Sequence, residues 1–142
     1  MNLITAYAGL FLWSFLAATV LPLGSEIALI ALVKTEEQVF APVLVATAGN
    51  YLGACTTYWL GRRAAQALGK GQREGETNNT RPARLLRRFG QPALLLSWVP
   101  LVGDALVAVA GAMRIPFKAF SFWVVVGKAA RYGAIAWAAS AI

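Results

Sequence analysis

Long apolar runs, two of them broken at matching points, dominate the pattern along this 142-residue chain. Charged positions divide it into four apolar blocks, residues 3–33, 40–61, 91–113 and 119–142. A straight helix needs about 20 apolar residues to cross the hydrocarbon core of a bilayer, and the second and fourth blocks fit that requirement. The first is too long for one straight span and is interrupted at Leu21-Pro22-Leu23-Gly24-Ser25-Glu26; the third breaks in the same way at Val99-Pro100-Leu101-Val102-Gly103-Asp104. Proline, glycine and a carboxylate together end a helix, and such breaks persist at membrane depth only where protein or a wet cavity satisfies the freed backbone groups. Both places therefore predict broken, re-entrant helices.

The breaks also align with each other. A shift of 78 positions sets Pro22 on Pro100, Leu23 on Leu101, Glu26 on Asp104, Ala41 on Ala119, Gly49 on Gly127 and Phe11 on Phe89. Broken apolar segments at matching places of two halves point to a transporter scaffold. Basic residues collect on the cytoplasmic side: residues 34–37 carry one base and two acids and read as outside, whereas residues 62–88 carry eight bases and two acids and read as inside. A third block that dips and returns keeps Arg114 and Lys118 inside with the other bases. The pattern thus predicts an all-α integral membrane fold of two inverted halves, each a re-entrant broken-helix hairpin followed by a transmembrane helix. A basic cytoplasmic loop with an amphipathic helix joins them. The expected unit is one membrane domain over residues 1–142, with half one at 3–66, a basic linker at 67–90 and half two at 91–142. Four full crossings are the alternative. Within the linker, residues 70–81 are turn-rich, and residues 82–90 set Leu85, Leu86 and Phe89 against Arg84, Arg87 and Arg88 at helical spacing, as a surface helix on anionic lipid would.

Composition sharpens this picture. Hydrophobic residues make up 58% and charged residues 13%, about half the charge of an ordinary globular protein, which disfavours a soluble domain. The net charge of +7 alone would suit nucleic acid, but eight bases in one polar stretch, with no interleaved aromatic or groove-reading motif, speak against it. The chain has no histidine and one cysteine, Cys55, so His-dependent triads and zinc hydrolases are excluded, no disulfide can form within the chain, and Cys55 reads as a packing residue. No basic region precedes the apolar run after Met1-Asn2-Leu3, so a cleaved signal peptide is not expected. No GxGxxG, P-loop, HExxH or GxSxG pattern is present. Neither an enzyme, a cofactor nor a metal site is expected.

Four charges lie inside the apolar blocks: Glu26, Asp104, Lys128 and Arg131. Facing lipid unpaired, each costs about 2.5–3.5 kcal/mol or more, so they should pair or line a wet cavity. Lys128 and Arg131 share a helix face. The plain alternative is a set of ion pairs fixing helix positions; the site reading is favoured because both carboxylates stand beside helix breaks. Glu26 and Asp104 are candidate proton carriers or counter-ions. Lys128 and Arg131 suit an anionic head group, and Asn50, which the shift places on Lys128, reads equally as a further polar group of the cavity or as a helix-to-helix hydrogen bond. Gly49, Gly53, Thr57 and Gly61 form a stripe for close helix packing. Trp13, Trp98, Trp123, Trp137, Tyr58 and Trp59 read as interface anchors or packing residues.

Several of these segments carry a resemblance. Pro22-Leu23-Gly24-Ser25-Glu26, Gly49-Asn50-Tyr51-Leu52-Gly53, Tyr58-Trp59-Leu60-Gly61-Arg62, Ser97-Trp98-Val99-Pro100-Leu101-Val102-Gly103-Asp104 and Ala110-Gly111-Ala112-Met113-Arg114 together resemble the DedA family, also called the SNARE-associated or VTT-domain family. The short Ser-Trp-x-Pro-x-x-Gly-Asp form is similar to its YqaA-like branch. The resemblance runs from about Phe11 to Trp137 and implies a bacterial inner-membrane protein with two oppositely oriented hairpins. It also implies relatives that flip or scramble lipids, undecaprenyl phosphate included, some using the proton gradient. Glu26 matches the family's acidic residue after the first hairpin's proline and glycine. Many members carry arginines three residues before and after the second hairpin's proline, where this chain has Ser97 and Gly103; Lys128 and Arg131 are then the candidates to replace that charge. The expected function is transport of a phosphate-bearing lipid, with membrane lipids as partners. A small-solute or ion transporter, and a non-transporting envelope protein acting through partners, are the alternatives. A chain this short is expected to form a homo-oligomer.

Overall fold

The computed structural model describes residues 2–19, 25–67, 80–99 and 101–142. Of the predicted hairpin breaks, Pro22, Gly24 and Pro100 lie outside the described residues. Among those described, every regular element is helical: α1 Leu3–Ala17, α2 Ser25–Glu36, α3 Phe40–Ala67, α4 Arg81–Phe89, a 3₁₀ helix Gln91–Trp98, α5 Val102–Ala112 and α6 Phe117–Ala141.

Helix ends follow local chemistry. Thr80 caps α4 by accepting from the Ala83 amide, and Pro82 sits in the first turn where no donor is needed. Gly90, with φ of +70°, closes it. Glu37 and Arg114, both with positive φ, each stand three residues before one of the long helices, so the chain turns sharply at the same place in both halves. Leu101 adopts φ of +67° in the turn between the 3₁₀ helix and α5 and is largely exposed.

Two apolar cores form, one at each end of the α3–α6 pair. The first joins Ala54 and Tyr58 of α3, Phe120 and Val124 of α6, Leu106, Val107 and Ala110 of α5, and Leu86 of α4. The second joins Ala46 of α3, Tyr132, Ala136 and Ala139 of α6, Leu29, Leu32 and Val33 of α2, and Leu10 of α1. Early α3 thus meets late α6 and late α3 meets early α6, so the two helices run antiparallel. Five positions of one core fall on the other at the separation of 78 that also joins Asn50 to Lys128: Ala54 on Tyr132, Tyr58 on Ala136, Leu29 on Val107, Leu32 on Ala110 and Ala46 on Val124. α1 packs chiefly on α3 and the 3₁₀ helix on α6, while α2 packs chiefly on α6 and α5 on α3. The 3₁₀ helix meets the first core through Ala93 and Leu94 and α5 through Ala110, with Met113 and Ile115, just past α5, packed against it.

Glycines set how closely these elements approach. A Cβ at Gly49 would lie 2.5 Å from the Phe11 carbonyl oxygen, and one at Gly53 2.5 Å from that of Phe15, both on α1. Gly61 is held instead against the backbone of Ala108 and Gly111 against that of Tyr58, which joins α3 to α5. The stripe read from sequence is therefore divided between two helices of the same chain.

Among the described residues, no helix is long and apolar enough to cross a membrane. This corrects the expectation that the second and fourth blocks satisfy the hydropathy requirement directly. Length is not the shortfall, since 28 residues of α3 and 25 of α6 extend about 42 and 38 Å at 1.5 Å per residue. The polar residues Thr47, Asn50, Thr56 and Thr57 in α3, and Lys128 and Arg131 in α6, lower the average.

Candidate polar site between the hairpins

The intramembrane charges predicted from sequence come together at the middle of the α3–α6 crossing. Asn50 is buried and donates through Nδ2 to the Ser14 carbonyl of α1 at 2.9 Å. Its Oδ1 accepts from Lys128 Nζ, so the two residues that the shift superposes touch each other. Lys128 is 4% exposed. An ammonium carries three donors, and the one directed to Asn50 is its single hydrogen bond within the described residues. Asp104, in the first turn of α5, and Cys55, on α3, both lie within electrostatic reach of Lys128.

Arg131, one turn further along α6, pairs with Glu26 in the first turn of α2. Both side chains keep about a fifth of their surface exposed, 20% and 23%. The Arg131 guanidinium also lies 5.8 Å from the Tyr132 ring centroid. The Glu26–Arg131 ion pair thus joins α2 to α6, Asp104 of α5 acts on Lys128 of α6 electrostatically, and the four charges sum to zero.

Three polar contacts escaped the sequence reading. Ser25 Oγ and Tyr132 Oη share a hydrogen bond of 2.9 Å, directly beside the Glu26–Arg131 pair. Tyr51 Oη and Ser121 Oγ bond at 2.6 Å, with Cys55 adjoining Tyr51. Tyr58, fully buried, donates to the Ile115 carbonyl at 2.6 Å and stacks among Trp59, Phe117 and Phe120, which makes it a core residue. The only sequence signal for Ser25 and Tyr132 is adjacency to a charged neighbour; Tyr51 and Ser121 carry none.

Gly103 has a distinct role. A Cβ on it would lie 2.6 Å from the Ser97 carbonyl carbon and 2.9 Å from the Ser97 Cα, so the turn brings these two backbones together. An arginine at either residue would have no room without reopening that turn, because Ser97 is itself buried. The two positions where the family resemblance led one to look for arginine are therefore closed by backbone packing, and the positive charge near the turn comes from α6.

Similarity to known proteins agrees with these features. The VTT-domain model matches residues 21–140. An uncharacterized protein of Haemophilus influenzae is 40% identical over 134 residues, covering 89% of this chain and 82% of its own length. The inner membrane protein YqaA of Escherichia coli K12 is 43% identical over 128 residues, covering 89% and 86%, and its Shigella flexneri counterpart gives the same figures. No solved structure matches. By the match over residues 21–140 and these identities, the chain belongs to the VTT-domain family, the DedA family.

Proposed function

We propose that this chain is a multi-pass protein of the bacterial inner membrane that moves a phosphate-bearing lipid across it, as a flippase or scramblase, without enzymatic chemistry. The observation that carries this reading is the buried Asn50–Lys128 contact, with Asp104 and the Glu26–Arg131 pair around it, where both hairpins end. A polar layer at that depth offers a lipid head group donors and counter-charges while its tail stays in hydrocarbon.

Element lengths support re-entrant hairpins. At 2.0 Å per residue for a 3₁₀ helix and 1.5 Å for an α-helix, the eight residues of the 3₁₀ helix and the eleven of α5 each extend about 16 Å, half the hydrocarbon thickness. The α1 and α2 arms, 15 and 12 residues, extend about 22 and 18 Å, still short of a crossing. Thr47, Asn50 and Lys128 of the long helices are buried, whereas Phe40 and Trp137 are 77% and 72% exposed; this distribution suits lipid outside and polar groups inside. Arg62 and Arg63 follow the Tyr58 end of α3, where the Ile115 turn carries Arg114 and α4 presents its arginines, which supports that end as cytoplasmic.

The neutral sum of the four charges also favours a small-solute or ion carrier as a second reading. Proteoliposomes separate the two. The primary reading expects faster loss of asymmetry for polyprenyl phosphate or phospholipid probes with no solute flux. Solute flux with unchanged lipid distribution would overturn it in favour of the second.

A further inference from the structure

A cavity of about 460 Å³ lies between the 3₁₀ helix and α6, lined by Leu95, Trp98, Ala130, Arg131, Ala134 and Ile135. Gly127 keeps its floor low, since a Cβ there would lie 2.7 Å from the Leu95 carbonyl oxygen. Ala130 and Ala134 are exposed, so their small side chains leave the trough open. The volume falls within the usual range of small-molecule sites, and among the described residues Arg131 is the one charged group in an otherwise apolar lining.

We propose that this groove seats the hydrocarbon tail of a lipid phosphate, with the phosphate held by Arg131. The inference deepens the lipid-transport reading and rests on it for the head-group chemistry. A guanidinium has five N–H donors in a planar fork. Glu26 occupies one amino group, Nη2, and the remaining donors serve a phosphate without breaking that pair. The partial exposure of both residues gives a head group access from the groove side. Charge complementarity thus fixes one end of the occupant and the apolar lining fixes the other, which selects an amphiphilic anion over free phosphate or a neutral hydrocarbon.

The test uses dodecyl phosphate carrying a diazirine near the chain terminus, photolysed with the full-length protein in detergent and mapped by peptide mass spectrometry. Attachment should concentrate on residues 95–98 and 130–135. Arg131→Gln should weaken half-maximal labelling about tenfold, the loss expected for one charged hydrogen bond. Ala134→Phe, at an exposed position that can accept the ring without unfolding, should abolish attachment in the groove. Inorganic phosphate in excess should not displace the probe, and a dodecyl trimethylammonium probe should not label the groove. Labelling spread over the exposed apolar surface, equal labelling by the cationic probe, displacement by inorganic phosphate, or undiminished groove labelling in Ala134→Phe would each overturn the proposal. Translocation measured separately keeps the two claims apart. Groove labelling without translocation removes the transport reading alone, and translocation without groove labelling removes this inference alone.

Discussion

Replacing Gly103 by alanine probes how the second hairpin is closed. The added methyl would meet the Ser97 carbonyl carbon at 2.6 Å and its Cα at 2.9 Å, whereas unstrained carbon contacts lie at about 3.5–4.0 Å. The shortfall is therefore close to 1 Å, and both obstructing atoms belong to backbone, so no side-chain rotation relieves it. Overpacking of this kind costs about 1–3 kcal/mol, against which removing a helical glycine returns at most about 1 kcal/mol. Gly9 and Gly133 provide the controls, because both lie in helices and a Cβ on either meets nothing within 4 Å. Thermal unfolding of the three variants in the same detergent should place Gly103→Ala several degrees below the unaltered protein, with Gly9→Ala and Gly133→Ala level with it or above. Gly103→Arg should be the least stable of the series. A Gly103→Ala protein melting together with Gly133→Ala would refute the backbone-closure reasoning.

Other perturbations follow from the same contacts. Tyr58→Phe removes the bond to the Ile115 carbonyl while keeping the ring stack, so a loss of about 1 kcal/mol should appear in detergent unfolding. Leu86→Ala vacates a site that is 4% exposed in the first core and should cost about 2–5 kcal/mol, detaching α4 and raising its protease sensitivity before the long helices yield. In a double-mutant cycle, Glu26→Gln and Arg131→Gln should couple by under about 1 kcal/mol, because the pair retains solvent access and exposed ion pairs contribute little; a much larger coupling would show that the pair is a structural clamp.

The sequence exposed some of this architecture and hid the rest for physical reasons. Apolar block lengths, the paired breaks and the shift of 78 positions carried the order of elements, and the same shift placed Asn50 on Lys128, which proved to be a contact. Glu26 and Arg131 were legible as inward-facing charges because burying either alone is costly, but their pairing with each other depends on α2 packing across onto α6. That exchange of second arms between halves has no local signature. The glycine stripe was legible as a packing surface; its division between α1 and α5 follows from how each hairpin is aimed. Tyr51 and Ser121 are ordinary residues for apolar helices, and only the antiparallel crossing brings them together. The hydropathy of α3 and α6 shows the limit of averaging, since buried polar residues such as Asn50 and Lys128 reduce a mean that cannot distinguish the two sides of a helix.

The central claim is that the buried polar layer carries lipid across the membrane. Its most direct measurement is translocation of polyprenyl phosphate in proteoliposomes by the unaltered protein, by Lys128→Gln and by Asp104→Asn, with insertion and melting temperature checked for each and with the pH gradient imposed or collapsed. The account predicts rapid translocation by the unaltered protein and its loss in both variants despite normal insertion. Translocation at the unaltered rate in well-folded Lys128→Gln and Asp104→Asn would contradict it and move the lipid path away from these residues.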